Sequence, residues 1–147
     1  MKYKKEIDYL KKNNLLEDNR DIISEKEVLE IKKFRNNIPE EFIDFLKEIG
    51  GGQFRNSQYE IKNFVFDFYE IGLENIYDVD ENIVLFGNSF GGDFIGFDLS
   101  KSNPTVVEID HVTSEVFDTK KTFVEFFRED LGMDLWYSFA IKKYEIF

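Results

Sequence analysis

Apolar residues in the first third of the chain recur at helical intervals. Tyr3, Ile7 and Leu10 are spaced four and three apart, one stripe of a short helix that Asn13 and Asn14 should stop. Residues 19–23 read as a loop. Ser24 and Glu27 form the S-x-x-E pattern of a capping box ahead of Val28 and Ile31, so a second helix should end near Phe34 or Arg35, before Asn36 and Asn37. Pro39 suits the first position of a third helix because its missing N–H would be unpaired there anyway, and Glu40 and Glu41 favour the positive end of the helix dipole. Phe42, Phe45, Leu46 and Ile49 give that helix its buried face, and Gly50-Gly51-Gly52 ends it.

From residue 59 the period shortens to two. Phe64, Phe66 and Phe68 alternate with Val65, Asp67 and Tyr69, which predicts a strand with one aromatic face. Leu73, Ile76 and Tyr77 can close a turn of helix before the acidic stretch Asp78-Val79-Asp80-Glu81. The apolar run from Ile83 to Phe86 fits a strand buried on both faces, and Gly87 to Gly92 is a turn-rich connector. Further strands are expected over 94–99, 105–110 and around 115–117. Thr122 and Glu125 make a second capping box for a helix that turns Phe123, Phe126, Phe127 and Leu131 inward, with Gly132 ending or kinking it. Leu135, Trp136, Phe139 and Ala140 suggest a last helical turn or two against the body.

Links of a few residues between successive strands favour antiparallel hairpins over helical crossovers. The expected fold is therefore α+β: N-terminal helices, a central, mainly antiparallel β-sheet and a C-terminal covering helix. With 147 residues and no internal repeat or linker-like stretch, residues 1–147 read as one domain. Seventeen Phe, seven Tyr and one Trp imply a core built largely from rings.

Charge and composition remove several functional classes. The formal net charge is −11, which repels phosphate backbones and argues against direct nucleic-acid binding. The absence of cysteine excludes a disulfide scaffold, a thiolate metal site and a cysteine nucleophile. Met1 to Glu6 is followed by no apolar run of the secretory kind, and no stretch approaches the roughly 18 apolar residues of a membrane span. A soluble, cytoplasmic chain is expected. The acidity is also localised: residues 1–35 carry ten Lys or Arg against eight Asp or Glu, whereas residues 63–118 carry Lys101 alone against twelve acids. A one-sign segment can simply be a solvated face, or it can steer an oppositely charged partner.

Four blocks, in order, resemble a known superfamily. Ile38-Pro39-Glu40-Glu41-Phe42-Ile43-Asp44-Phe45-Leu46 with Gly50-Gly51-Gly52 is similar to the helix and GG turn of SUKH proteins. Phe86-Gly87-Asn88-Ser89-Phe90-Gly91-Gly92-Asp93-Phe94-Ile95-Gly96-Phe97-Asp98 resembles their strand–turn–strand block. Pro104 to His111 resembles the next strand, and Thr122 to Phe127 the covering helix. Two features depart from the pattern: residue 90 is Phe where a polar residue or glycine is usual, and no Trp follows the first GG turn.

SUKH proteins include a fungal cell-wall assembly regulator and many bacterial immunity proteins that neutralise toxin domains, often nucleases. The resemblance thus implies a non-enzymatic binding protein whose partner is a cognate, basic toxin; the alternative is a regulatory interaction module in a cell-envelope or signalling assembly. Joined to the charge map, it puts partner contacts at Asp67, Glu70, Glu74, Asp78, Asp80, Glu81 and Asp93, with Tyr77 and Phe90 as aromatic anchors. An enzymatic reading rests on Asp93, Asp98, Asp110 and His111 as metal ligands or an acid–base pair, and it lacks a converging nucleophile and charge stabiliser. The Gly-rich turns have neither the P-loop Lys-Ser/Thr nor the spacing of a dinucleotide fingerprint. No catalytic residue, metal or cofactor is expected.

Overall fold

The computed structural model describes residues 1–16 and 20–133. Leu135, Trp136, Phe139 and Ala140, assigned above to a last helical turn, lie outside them. The described chain holds four helices, α1 (Lys4–Lys12), α2 (Glu25–Phe34), α3 (Glu40–Glu48) and α4 (Phe123–Asp130). Its six strands are β1 (Gly52–Gln53), β2 (Tyr59–Phe66), β3 (Ile83–Ser89), β4 (Phe94–Asp98), β5 (Val106–Ile109) and β6 (Val116–Asp118). Every strand pairs antiparallel with its neighbour in sequence, so the sheet is a six-stranded meander in chain order. The α+β architecture follows the expectation from sequence. None of the described helices is long and apolar enough to cross a membrane.

Both capping boxes form. Ser24 Oγ accepts the Glu27 N–H while Glu27 Oε1 accepts the Ser24 N–H, and Thr122 and Glu125 do the same for α4. Such caps contribute about 1 kcal/mol each. Pro39 is the N-cap of α3, one position before the first-turn site expected from sequence.

Side-chain alternation splits the sheet between two apolar clusters. Val84 and Phe86 of β3, with Ile95 and Phe97 of β4, face the helices. Phe42 of α3 is fully buried there, with ring centroids 5.0 Å from Phe86, 5.6 Å from Phe97 and 5.1 Å from Phe123 of α4. The intervening residues Ile83 and Leu85, with Val107 and Ile109 of β5, face the other side. Among the described residues no helix packs on that side; the segment between β2 and β3 covers it through Phe68, Leu73, Tyr77 and Val79.

Two glycines set how closely the strands approach. A Cβ on Gly96 would lie 1.9 Å from the Val84 carbonyl oxygen, and one on Gly87 would lie 2.1 Å from that of Glu60. Side chains at either position would push the ladder apart.

The aromatic strand expected over Phe64 to Tyr69 is corrected in two ways. β2 ends at Phe66, so Phe68 belongs to the following loop. Its register also breaks: Ile61 lies opposite Gly87 and Phe66 opposite Leu85, five residues of β2 against two of β3. The strand bulges, and Phe64 is exposed instead of packed.

Candidate functional site

Sixteen residues separate Phe66 from Ile83, a long connection for an antiparallel meander. Loops of that length within a compact fold are commonly functional. This one is held firmly. Phe68 stacks on Tyr77 with centroids 4.6 Å apart and planes 19° from parallel, and Phe94 meets both rings edge-on at 4.9 and 5.3 Å. The N–H groups of Ile76 and Tyr77 both donate to the Leu73 carbonyl at 3.0 Å, closing the helical turn expected from sequence. Apolar residues at 68, 73, 77 and 79 point into the sheet, so the acidic residues between them face outward.

The result is a cleft of about 370 Å³ on this side of the sheet. Asp67, Glu74, Asp78, Asp80 and Glu81 line it, Tyr77 forms part of its wall, and Arg35 at the end of α2 is the one basic residue among the described residues that line it, which together carry a formal charge of −4. Arg35 Nη2 lies 2.9 Å from Asp67 Oδ2, while Asp67 Oδ1 accepts the Glu70 N–H at 2.7 Å. Asp80 Oδ1 accepts the Asn82 N–H at 2.8 Å, which shapes the entry to β3. Glu74, Asp78 and Glu81 are exposed, and among the described residues none pairs with their carboxylates. Asp67 therefore fixes the loop, and these three present free charge. Tyr69 and Ile76, on the same loop, are 76% and 66% exposed.

Six of the nine sequence-predicted contact residues meet in this cleft: Asp67, Glu74, Tyr77, Asp78, Asp80 and Glu81. The other three lie elsewhere. Glu70 rims a separate groove beside α2. Phe90, 58% exposed, and Asp93 line a depression with Tyr59 and Glu108. Glu108 is opposite Ile95, a residue of the helix-side core, so this depression belongs to the other face of the sheet from the acidic cleft. Arg35 and the exposed Tyr69 and Ile76 were not singled out from the sequence. In sequence Tyr69 reads as part of the alternating strand and Ile76 as part of a helical turn, and periodicity alone marks neither as exposed.

The four residues of the enzymatic reading do not all converge. Asp93 Oδ1 lies 2.7 Å from His111 Nδ1 and also accepts the His111 N–H, which holds the Asp93 carboxyl below the usual carboxylate range. Asp110 accepts the Thr113 and Val112 N–H groups and is lowered by them. Asp93, Asp110 and His111 could each offer one ligand atom, all within 4.8 Å of one another. Asp98 is at the opposite end of β4, capping the next turn through the Ser100 N–H and hydroxyl. These bonds tie turns together, and the fourth proposed member of the constellation is a strand length away.

The family model described as SMI1 / KNR4 family (SUKH-1) matches residues 22–129. The chain belongs to that family. Neither the curated proteins nor the solved structures gave a match. The matched span runs from just before α2 almost to the end of α4, and so includes both the acidic cleft and the turn bearing Phe90 and Asp93. SUKH-1 membership supports a protein-interaction module of the immunity type. In this SUKH-1 chain the family-like blocks supply α3, most of β3, β4, β5 and α4. The acidic cleft is built mainly on the connection between the first and second of the four blocks, and loops of this kind commonly carry binding residues on a fixed scaffold.

Proposed function

We propose that this SUKH-1 chain is a cytoplasmic immunity protein that neutralises a cognate basic toxin domain of the nuclease type by occupying its nucleic-acid-binding surface. The observation that carries the reading is the cleft in which Glu74, Asp78 and Glu81 have no ion-pair partner among the described residues, on a loop clamped to the sheet. A nuclease must present Lys and Arg to hold a polyanion, and a rigid array of carboxylates competes for the same surface. Prior ordering of the loop lowers the entropy lost on docking. Tyr77 in the wall, with Tyr69 and Ile76 nearby, supplies the aromatic and apolar contacts that charge alone does not. Neutralisation is by occlusion and needs no turnover.

Co-expression with the toxin encoded beside its gene tests this reading. Survival of the host, with stoichiometric and salt-sensitive inhibition by the purified protein, is the expected result. Continued killing in the presence of soluble protein contradicts it.

A further inference from the structure

The bulge in β2 leaves Phe64 53% exposed, its ring against Phe66 at 5.8 Å. A phenylalanine left in water forgoes the favourable free energy of burying its ring, and bulges recur where a strand re-aims a side chain. Phe64 borders a groove of about 380 Å³ between β2 and α2, floored by Ile31, Phe34 and Val65. Its rim is Glu27, Glu30 and Glu70, and no Lys or Arg lines it among the described residues. Glu27 is engaged in the α2 cap, whereas none of the described residues pairs with the carboxylates of Glu30 and Glu70.

The groove adjoins the acidic cleft. Phe34 in the groove precedes Arg35 in the cleft, and Glu70 on the groove rim donates its N–H to Asp67 in the cleft. The Arg35–Asp67 ion pair is the ridge between two depressions of the same charge sign.

We infer that the α2–β2 groove is the apolar half of the docking surface, and that it takes an aliphatic or aromatic side chain flanked by Lys or Arg from the basic partner. The inference rests on the function proposed above and names a second contact of the same partner. An apolar floor under an acidic rim matches that chemistry at every position: the floor desolvates the inserted side chain, and Glu30 and Glu70 meet its cationic flanks.

Calorimetry with the toxin domain encoded beside the gene separates this inference from the reading beneath it. Phe64→Ala should weaken binding by about 10-fold with the salt dependence unchanged, because no charge is removed. Glu30→Lys, which reverses the rim, should weaken it by a similar factor. Glu74→Gln with Asp78→Asn should instead flatten the salt dependence. Full affinity in either Phe64→Ala or Glu30→Lys, with the acid double variant weakened, overturns the groove and leaves the acidic cleft standing. No binding by the unsubstituted protein overturns both. A dimer of the chain alone that Phe64→Ala dissociates, seen by sedimentation, assigns the groove to a second copy and also overturns the inference.

Discussion

Tyr77 lies face to face on Phe68, nine residues away in the chain, and Phe94 of β4 closes on both rings at right angles. This three-ring clamp converts a long acidic connection into a fixed wall. Phe68 is buried in one cluster with Ile83, Leu85, Val107 and Ile109, so its removal opens a cavity under the loop. Phe68→Ala should cost about 3 kcal/mol in urea unfolding. Hydrogen exchange should show the amides of residues 69–81 losing protection before those of β3 and β4.

Arg35 is the ridge between cleft and groove, and its removal has two opposed effects. The ion pair with Asp67 is largely shielded, and Arg35 also stacks on the neighbouring Phe34 ring with its guanidinium carbon 4.3 Å from the centroid. Arg35→Ala should therefore destabilise the fold by about 1 kcal/mol. It also takes the cleft from a formal −4 to −5, so association with a basic partner at low salt should accelerate, as stopped-flow mixing would show.

Acid stability should depend on Asp118. Lys101, the Lys120 N–H and the Thr105 hydroxyl hold its carboxyl down to about 2, against 3.8 unperturbed. A carboxyl whose pKa falls on folding contributes stability above its unfolded value and loses it as the pH drops through the folded one. That contribution is complete above about pH 4 and disappears toward pH 2. Asp118→Asn should lower stability at neutral pH and flatten its fall between those limits, measured by urea midpoints across the range.

Much of the fold was legible because its signals are local. Capping boxes at Ser24 and Thr122, the 42/45/46/49 stripe and the apolar run from Ile83 each specify an element within one or two turns of chain. Phe64 and Phe68 were misplaced because alternation alone cannot reveal a bulge, which depends on how β2 meets β3 across the sheet. The candidate site was legible in part for the same reason. Its acids are near neighbours in sequence, from Asp67 to Glu81, and arrive together on one loop. Asp93 and Phe90 are separated from that loop by the sheet itself, whose two faces cannot be assigned from charge. Arg35 joins the cleft only through tertiary packing.

The close approach of β3 and β4 leaves no room at Gly96, where any Cβ would strike the Val84 carbonyl. Gly96→Ala should cost more than about 3 kcal/mol and leave little folded protein by circular dichroism. Gly72→Ala serves as a comparison: no atom lies within 4 Å of its Cβ position, and only its left-handed backbone, φ 74°, resists the change. It should therefore remain folded, with a loss of about 1 kcal/mol.

The central claim is that Glu74, Asp78 and Glu81 form the charged contact with a basic partner, and the salt dependence of binding measures it most directly. Affinity for the toxin encoded beside the gene should be followed from low to high salt for the parent chain and for the triple variant Glu74→Gln, Asp78→Asn, Glu81→Gln. The parent should bind with a steep dependence, and the variant should lose at least about 100-fold at low salt and bind with a shallower slope. Equal affinity and equal slope in the two proteins would contradict the claim.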